Sequence, residues 1–461
     1  MLRWDQAPRL RVYRWLVGSE RDRGGLARTA AELTITTSVG IVLVFLTSVA
    51  VARALGPDQK GVYDLMSASA SMGALILGLS LPAGITFAVA RDSIAASAAA
   101  WGALVWGLGV AAVSVVVLSL FHDAFAAIGV LAPSGGVTDL AVIAALAGVS
   151  AASAMLRAAL AGSGRVELGA RLDLLARASA LGATILLAPG ATPAALVLAL
   201  VIGGLIGSGA QAIVLRPARN FRRTAVSDIT AYSIQAHAAN VLQVLNYRLD
   251  LFLVGLFRGP YEVGLYALAA TLGQLVWVLS GSVAASLFPA VAAEAQSSRS
   301  AGRTAVAARV TFALSAAAAL AGGLLALPGI RVVYGPDFAP SVVPLLALLP
   351  GVVMLAPTRV IAAYFAGVGR PNLNLAISAL SFVTTVGLDL LLIPGRGMIG
   401  AAVASTASYG IAAIAGLILF RRISGVPIDR ALVMRPQDLR TLASAVRTPR
   451  NETSAGPSED R

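Results

Sequence analysis

The sequence predicts an all-α polytopic membrane protein with about twelve transmembrane helices in two parallel six-helix repeats. Composition is the first observation: 57% of the residues are hydrophobic and 12% are charged, whereas soluble domains carry about 25% charged residues. The second observation is that apolar runs of about 20 residues, enough to cross a hydrocarbon core of about 30 Å, recur along the chain. The third is that motifs of the first half return in the second half.

Twelve apolar runs are predicted to span the membrane, and the second and eighth runs are long enough to tilt or kink. The predicted spans are 34–54, 63–90, 94–120, 137–161, 169–189, 193–215, 229–257, 262–290, 304–328, 340–367, 373–394 and 397–420. The first six spans form a lobe over 34–215, and the last six form a second lobe over 229–420.

Three polar segments lie outside the two predicted lobes. Residues 1–33 are a basic arm, and residues 216–228 are a basic linker between the lobes. Residues 421–461 are rich in Arg, Pro, Ser and acidic residues, a composition that predicts disorder. We expect all three segments to lie in the cytoplasm.

The internal repeat is carried by three short matches at nearly one offset. Gly56-Pro57, Gly61 and Tyr63 return as Gly259-Pro260, Gly264 and Tyr266; Ala161-Gly162-Ser163-Gly164-Arg165 returns as Ala366-Gly367-Val368-Gly369-Arg370; Pro189-Gly190 returns as Pro394-Gly395. Because each repeat holds an even number of crossings, both repeats enter the membrane from the same side and are parallel rather than inverted. Such a design places a substrate site between the copies.

The formal net charge of +13 is distributed so that it predicts orientation. Residues 1–33 hold seven Arg and residues 421–461 hold eight, whereas segments 121–136 and 190–192 have no Lys or Arg. By the positive-inside rule, both termini are predicted to be cytoplasmic and the protein to be a multi-pass protein of the inner (cytoplasmic) membrane. The basic ends are expected near anionic lipid, and no nucleic-acid partner is needed to explain the charge.

Several classes of chemistry are excluded or disfavoured by what the sequence lacks. Cysteine is absent, so disulfides, thiolate catalysis and Cys-type metal sites are excluded. The two histidines, His122 and His237, are far apart, which argues against a histidine metal cluster. No nucleotide-binding or nucleophile motif occurs in a suitable context, and the longest outer loop, 121–136, cannot hold a catalytic domain. We therefore predict no enzyme, no cofactor and no metal site.

Charged residues within the predicted spans are the main candidates for function, because each costs at least a few kcal/mol to insert and usually faces the bundle interior. The arginines nearer span ends are Arg53, Arg91, Arg171 and Arg309, and the deeper residues are Arg157, Arg177, Arg248, Asp250, Arg359 and Asp389. Asp64 and Asp173 are further candidates. For the arginines near span ends, snorkelling anchors are an equal alternative.

Spacing refines some of these candidates. Asp173 and Arg177 are four residues apart on one helix face and can form an ion pair. Arg248 and Asp250 point to different sides of a helix, so each needs another partner. For Arg157, pairing with Asp173 on the next crossing is the alternative to a role in the cavity.

The ordered motifs along residues 34–420 resemble polysaccharide-biosynthesis flippases, the Wzx-type members of the multidrug/oligosaccharidyl-lipid/polysaccharide exporter (MOP) superfamily. The motifs that carry this resemblance are Arg53-Ala-Leu-Gly-Pro-Asp-Gln-Lys-Gly-Val-Tyr63, Gly78-Leu-Ser-Leu-Pro82, Ala88-Val-Ala-Arg91, Asn246-Tyr-Arg-Leu-Asp250, Glu262-Val-Gly-Leu-Tyr266, Leu287-Phe-Pro289, Tyr334-Gly-Pro-Asp-Phe338, Gly367-Val-Gly-Arg-Pro371, Leu388-Asp-Leu-Leu-Leu-Ile-Pro394 and Gly400-Ala-Ala-Val-Ala-Ser405. Two departures disfavour a peptidoglycan precursor as substrate. The chain lacks a thirteenth and a fourteenth crossing, and the stretch after Pro82 lacks the arginines of the lipid II flippase branch.

The resemblance implies a V-shaped pair of six-helix lobes around a cationic lumen, which translocates a polyprenyl-(di)phosphate-linked saccharide. Arginine suits this task because it binds phosphate in a bidentate manner. We expect Arg248, Arg157, Arg177 and Arg359 to contact the substrate. We expect Asp250 and Asp389 to bind a coupling proton or sodium ion; for Asp389, a structural role in pairing helices is the alternative.

The expected partners are the lipid-linked saccharide, membrane lipids, and glycosyltransferases or a polymerase of the same pathway. Two other functions remain open from the sequence. One is a multidrug/cation antiporter of the same superfamily. The other is a non-transporting scaffold that recruits glycan enzymes through its basic ends.

Overall fold

Helices make up all the regular structure in the part of the chain described by the computed structural model, which covers residues 20–131, 136–218, 223–278 and 298–435 with parts of 280–291. The helices are α1 (Glu20–Leu77), α2 (Leu81–Ala90), α3 (Ala96–Leu120), α4 (His122–Ala127), α5 (Val137–Gly162), α6 (Val166–Leu187), α7 (Pro193–Leu215), α8 (Arg223–Arg258), α9 (Pro260–Leu275), α10 (Ser298–Val333), α11 (Val342–Gly367), α12 (Pro371–Ser424) and α13 (Ile428–Leu432). A 3₁₀ turn, Pro336–Ser341, joins α10 to α11.

The two longest helices, α1 and α12, each contain two membrane crossings joined by a kink. The kink in α1 lies at Gly56, with φ of 69°, and is followed by Pro57. The kink in α12 lies at Gly397, with φ of 57°. Only glycine adopts this left-handed backbone readily, so a single residue forms the kink in each helix.

Seven helical stretches in the described residues are long and apolar enough to cross a membrane. They are Ile35–Leu77, Ala96–Leu120, Val137–Gly162, Pro193–Leu215, Ser300–Val333, Pro336–Gly367 and Pro371–Ser424. The remaining predicted spans coincide with α2, α6, α8 and α9, which are shorter or carry more polar residues. The predicted fold class, an all-α polytopic protein of two six-helix repeats, is confirmed.

The helical structure extends into the segments predicted to be polar arms and linkers. Helix α1 already begins at Glu20, α8 begins at Arg223 and α12 continues to Ser424. In the C-terminal segment, Arg309 Nη1 on α10 donates a 3.0 Å hydrogen bond to the carbonyl of Arg430 in α13. The rest of the predicted arm, linker and tail lies outside the described residues, so the predicted boundaries stay predictions.

By contacts, the chain divides into two compact units that differ from the predicted lobes. Unit 1 comprises Met1–Ala269, Leu327–Pro344 and Thr385–Ala402, and unit 2 comprises Ala270–Ala326, Leu345–Thr384 and Val403–Arg461. Unit 1 therefore contains the first predicted lobe together with parts of the second. These parts contain or adjoin the positive-φ glycines Gly259, Gly335 and Gly397. With the N-terminus predicted in the cytoplasm, the alternation of the predicted spans puts these positions on the outer face.

Small residues let the helices of unit 1 pack closely. A Cβ on Gly107 of α3 would lie 2.8 Å from the carbonyl oxygen of Gly148 on α5, and a Cβ on Gly148 would lie 2.5 Å from that of Gly107. Helices α6 and α7 also pack closely: a Cβ on Gly203 of α7 would lie 2.6 Å from the Cβ of Ala180 on α6. Packing of this kind is how helices associate in lipid, where burial of apolar surface contributes little.

Unit 2 is held by similar contacts and by hydroxyl groups. The Thr406 hydroxyl on α12 donates a 2.6 Å hydrogen bond to the carbonyl of Ala347 on α11. Gly351 gives Thr406 the space for this approach, because a Cβ there would lie 2.5 Å from the Thr406 Cα. The hydroxyls of Ser381 and Ser408 lie 3.0 Å apart, which joins the two halves of α12.

Candidate substrate and ion sites

Two of the predicted substrate arginines share one carboxylate in unit 1. Arg157 Nη1 on α5 donates to Asp173 Oδ1 at 3.0 Å, and Arg177 Nε donates to Asp173 Oδ2 at 2.8 Å. The two predicted pairings of Asp173 therefore coexist. All three side chains line a cavity of about 210 Å³ between α5, α6 and α7. Because two guanidinium groups face one carboxylate, this cavity keeps an excess of positive charge.

A third predicted arginine, Arg248, is exposed on α8 and lies within electrostatic reach of Asp64. Asp64 accepts a hydrogen bond from Lys60, one turn earlier on α1. Lys60 is the only lysine of the chain, and it is 3% exposed. Lys60 was not among the predicted site residues, although a single lysine in an arginine-rich chain was the available signal.

The fourth predicted arginine, Arg359, lies in unit 2 over an aromatic ring. Its guanidinium carbon is 5.1 Å from the centroid of the Trp277 ring. Trp277 is held in place because its Nε1 donates a 3.1 Å hydrogen bond to the Val352 carbonyl. A guanidinium stacked in this way still directs its N–H groups outward in its own plane, where they can meet an anion.

The arginines nearer span ends have partners suited to anchors. Arg53 donates to the carbonyls of Val332 and Val333 at 2.5 and 2.7 Å, which caps the end of α10. Arg171 Nη2 donates to Glu32 Oε2 at 2.7 Å. Arg91 and Arg309 contact, respectively, the Phe87 ring at 4.5 Å and the carbonyl of Arg430.

The two predicted ion-coupling carboxylates meet in a buried polar cluster of unit 1. Asp250 accepts hydrogen bonds from the Tyr266 hydroxyl and from the backbone N–H of Leu251. Asp389 is 0% exposed, and neither of its carboxylate oxygens has a hydrogen-bond partner among the described residues. The two carboxylates interact electrostatically. Two neighbouring carboxylates in an apolar interior are costly to keep charged at the same time.

Neutral polar side chains complete this cluster one helical turn away. Asn246 precedes Asp250 by four residues on α8, and Thr385 precedes Asp389 by four residues on α12. The Thr385 hydroxyl donates a 3.3 Å hydrogen bond to Asn246 Oδ1. Oxygen atoms from Asn, Thr, Tyr and Asp are the ligands that hard cations prefer. Asn246 and Tyr266 belong to motifs that carry the resemblance, but neither they nor Thr385 were predicted as site residues. The available signal was the four-residue spacing of Asn246 and Thr385 from an Asp.

The repeated glycines of the two halves meet directly in unit 1. A Cβ on Gly61 of α1 would lie 1.8 Å from the Pro260 carbonyl oxygen. A Cβ on Gly264 of α9 would lie 2.0 Å from the Pro57 carbonyl oxygen. Since Gly61 and Gly264 are equivalent in the repeat, as are Pro57 and Pro260, the contact is reciprocal. We call this contact the glycine seam.

A carboxylate fixes the turn next to the glycine seam. Glu262 on α9 accepts a 3.0 Å hydrogen bond from Arg258 Nε and a 2.7 Å hydrogen bond from the backbone N–H of Met398. Met398 follows the kink at Gly397, so its N–H begins the second half of α12 and has no carbonyl of its own helix to bind. A carboxylate at that position also complements the helix dipole.

These helices and sites define a polytopic membrane protein of two six-helix repeats, with arginines and buried carboxylates in its spans. Residues 50–343, more than half of the chain, match the family model described as "Polysaccharide biosynthesis protein". The chain belongs to this family. It is 23% identical over 393 residues to the probable low-salt glycan biosynthesis flippase Agl15 of Haloferax volcanii, an alignment that covers 84% of this chain and 81% of that protein.

Solved structures of the MOP superfamily share the fold. The lipid II flippase MurJ in an inward closed conformation aligns with a TM-score of 0.74 at 13% identity, over 91% of this chain and 94% of that one. The inward-facing conformation of a multidrug resistance MATE family transporter aligns with a TM-score of 0.70 at 16% identity, over 85% and 98%. The resemblance stated from the motifs is therefore confirmed for family and fold.

Proposed function

We propose that this protein is a flippase that translocates a polyprenyl-(di)phosphate-linked saccharide across the cytoplasmic membrane for cell-surface polysaccharide synthesis. The observation that carries the proposal is the cavity in which Arg157 and Arg177 outnumber Asp173. An anion that crosses an apolar core needs such a partner, and arginine offers the planar donor pair that matches a phosphate. The flippase names of the relatives Agl15 and MurJ support the same function.

The substrate contacts in this proposal are the four predicted arginines: Arg248, Arg157, Arg177 and Arg359. A second cation, Lys60, lies near Arg248, because both residues interact with Asp64. The exposed surface of Arg248 leaves it available to a diphosphate. No covalent step is required of any of these residues.

The proposed mechanism is alternating access, with the glycine seam as a contact that closes the predicted outer side. Two backbones that touch without side chains between them can separate without repacking any rotamer. The outer ends of the second-repeat helices belong to unit 1 together with the first repeat, which supports a closed outer side. Outward opening would then require the seam to part.

Asp250 and Asp389 are the proposed site of ion coupling. Binding of a proton or sodium ion would neutralise a pair of carboxylates that is costly to bury charged. The hydroxyl and amide oxygens of Tyr266, Thr385 and Asn246 support a site able to hold a desolvated cation. Flipping in sealed vesicles with imposed proton or sodium gradients tests this; rates insensitive to both gradients would remove the coupling role.

The function itself is tested in a deletion strain complemented with the full chain. A flippase predicts loss of surface polysaccharide with build-up of the lipid-linked intermediate, both restored by the wild-type gene. Normal glycan with drug hypersensitivity would instead favour the antiporter. A scaffold for glycosyltransferases or a polymerase would tolerate loss of Arg157 and Arg177 but not of residues 1–19 and 436–461.

The proposed location is the cytoplasmic membrane with both termini in the cytoplasm. The excess of arginine at the two ends supports this orientation. A fluorescent protein fused after Arg461 should fluoresce, and alkaline phosphatase fused at the same place should be inactive. Active phosphatase there would reverse the orientation.

A further inference from the structure

The second predicted span is broken at a point where the backbone takes a costly conformation. Helix α1 ends at Leu77 and α2 begins at Leu81. Between them, Leu79 and Ser80 have φ of 48° and 52°. A non-glycine residue in this left-handed region costs about 1–3 kcal/mol and persists at functional sites. Irregular backbone at membrane depth is tolerated only where it is buried in protein or lines a cavity.

Ser80 is held at this break by two side chains of α8. The amide Nδ2 of Asn240 donates a 3.0 Å hydrogen bond to the Ser80 hydroxyl oxygen. His237 Nδ1 lies 3.2 Å from the same hydroxyl. Ser80 is 6% exposed, and His237 is the only histidine of the chain within a long helix. These contacts occupy the Ser80 hydroxyl, whereas the Asn240 amide has an oxygen and a second N–H beyond its bond to Ser80.

A neutral cavity of about 350 Å³ opens beside this group, between the α1–α2 break, α5 and α8. Its polar lining residues are Ser80, Ser150 and Asn240, and the rest of the lining is apolar, including Ala154 and Met155 of α5. None of its lining residues is charged. A mostly apolar cavity of this size with a few polar groups is the usual form of a small-molecule site.

The neutral cavity adjoins the cationic cavity of Arg157 and Arg177. Ser150 lines both cavities. Ala154 of the neutral cavity and Arg157 of the cationic one are three residues apart on α5, so they share a helix face. An anionic group and a neutral polar group that are covalently joined could therefore occupy the two cavities together.

We infer that the neutral cavity binds the sugar unit next to the diphosphate, with the Asn240 amide as its hydrogen-bonding group; this rests on the proposed function. An amide presents a donor and an acceptor side by side, which suits sugar hydroxyls or an acetamido group. Ala154 and Met155 offer an apolar surface to the C–H face of the ring. Ser80 and His237 are positioning residues that orient Asn240. Because the lining holds no cation, the site selects neutral sugars over uronic acids.

The test measures binding to the full-length protein in lipid nanodiscs. The probes are farnesyl diphosphate and its glucosyl, galactosyl, N-acetylglucosaminyl and glucuronyl derivatives. At least one neutral sugar probe should bind about tenfold or more tightly than farnesyl diphosphate, the equivalent of one or two good hydrogen bonds. The glucuronyl probe should show no such gain.

Two unrelated substitutions should remove the gain from the sugar. Asn240→Leu deletes the hydrogen-bonding amide, and Ala154→Leu fills the cavity without touching the polar group. Both variants should bind all neutral probes within about twofold of farnesyl diphosphate, while their affinity for farnesyl diphosphate itself stays unchanged. Ala145→Leu, on α5 but outside both cavities, is the matched control and should keep the gain.

The positioning role of His237 has a separate readout. His237→Ala should lose the preference for a neutral sugar, and His237→Asn, whose amide reaches toward the position of Nδ1, should regain part of it. If His237 only maintained the fold, both His237 variants would instead lose affinity for farnesyl diphosphate to the same extent.

Three outcomes would overturn the inference. If wild-type protein binds farnesyl diphosphate but gains nothing from any neutral sugar, the neutral cavity does not bind sugar and the flippase proposal stands. If the gain survives both Asn240→Leu and Ala154→Leu, the sugar binds elsewhere. If no probe binds at all, the diphosphate site fails and the proposed function fails with it.

Discussion

At the scale of single residues, the charges within the spans fall into three kinds of environment. Arg53 donates to helix carbonyls and Arg171 to a carboxylate, which are contacts suited to anchors. Arg157 and Arg177 are only half neutralised, because they share Asp173. Asp389 has no hydrogen-bond partner among the described residues. The last two environments are costly in lipid, and they are where we place substrate and ion.

Arg157→Lys should reduce glycan export by about tenfold or more, although it preserves the charge. Lysine presents a point charge and loses the planar pair of donors that bridges Asp173 and a phosphate, a difference of about 1.5–3 kcal/mol. Export is measured as surface polysaccharide at matched protein level. Arg171→Lys, in an exposed pair with Glu32, is the control and should export normally. Full export by Arg157→Lys would show that the planar guanidinium donors of Arg157 are not needed to bind the substrate.

Asp389→Asn should raise thermal stability in sodium-free buffer, because it removes a buried carboxylate that lacks hydrogen bonds. A gain of about 1 kcal/mol corresponds to a rise of a few degrees in Tm. Saturating sodium or acid should stabilise the wild type through binding to the native state and should have little effect on the variant. Asp337→Asn, at an exposed position, should leave the ion response intact. A wild-type Tm independent of both ions would contradict a coupling site here.

Sequence reasoning selected the charged members of these sites but not their neutral neighbours. Asp250 and Asp389 stand out because a carboxylate is rare in an apolar span. Their meeting depends on the packing of α8 against α12, which no local pattern encodes. Asn246 and Thr385 are of residue types that are common in membrane helices. Only the hydrogen bond between them, from α12 to α8, identifies them as members of the cluster.

At the scale of elements, breaks and kinks place the functional groups. The kinks at Gly56 and Gly397 reverse the chain within a single helix and bring Pro57 to Gly264 and Met398 to Glu262. The gaps between predicted spans at 55–62 and 395–396 lie at or next to the two kinks, which fall at Gly56 and Gly397. The sequence predicted that the second span would tilt or kink, but not that Leu79 and Ser80 would take a left-handed backbone. The side chains that contact Ser80 at this break, Asn240 and His237, come from a distant helix, which no local pattern indicates.

Gly61→Ala should weaken the closed glycine seam, since its methyl group would lie 1.8 Å from the Pro260 oxygen. The chain has no native cysteine, so Val263→Cys provides a single probe at a position that is 0% exposed. A membrane-impermeant maleimide added outside should label that cysteine about tenfold faster or more when Gly61 is replaced, the rate change expected for a shift of about 1.4 kcal/mol.

The control for the seam is Gly182→Ala, because a Cβ on this α6 residue has nothing within 4 Å. It should leave labelling of Val263→Cys unchanged and, as a glycine replaced within a helix, should not lower stability. Equal labelling in the Gly61→Ala and Gly182→Ala backgrounds would mean that the seam does not limit opening on the outer side.

At the scale of the whole molecule, the first repeat is not a separate compact body. Unit 1 includes α8, part of α9 and two further segments of the second repeat, Leu327–Pro344 and Thr385–Ala402. The sequence, through its apolar runs and its repeated motifs, was enough to predict the fold class. The sequence could not predict that segments of the second repeat pack within unit 1. Helices in lipid associate through complementary shape and interhelical hydrogen bonds rather than through hydrophobicity, so the apolar pattern does not identify which helices pack together.

Cutting the chain between Arg222 and Arg223 should therefore yield two halves that depend on each other. Expressed alone, residues 1–222 should be degraded, because the segments that complete unit 1 are missing. Co-expression with residues 223–461 should restore both protein level and glycan export. The measurement is the abundance of each half in membranes. A stable, monodisperse first half on its own would show that the shared packing is dispensable.

The glycine seam also bears on how such a chain arises. If the two halves descend from one duplicated gene, the ancestor was a symmetric homodimer, and the residue now present as Gly61 and Gly264 faced its own copy across the twofold axis. A substitution at such a self-contact appears in both subunits of a homodimer at once. Any side chain there would therefore have faced its own copy as well as the carbonyl oxygen of the other subunit. After duplication and fusion the two positions became free to diverge, yet each still faces a backbone oxygen at a distance that excludes a methyl group. On that hypothesis, the seam marks where the twofold axis of the ancestral dimer lay.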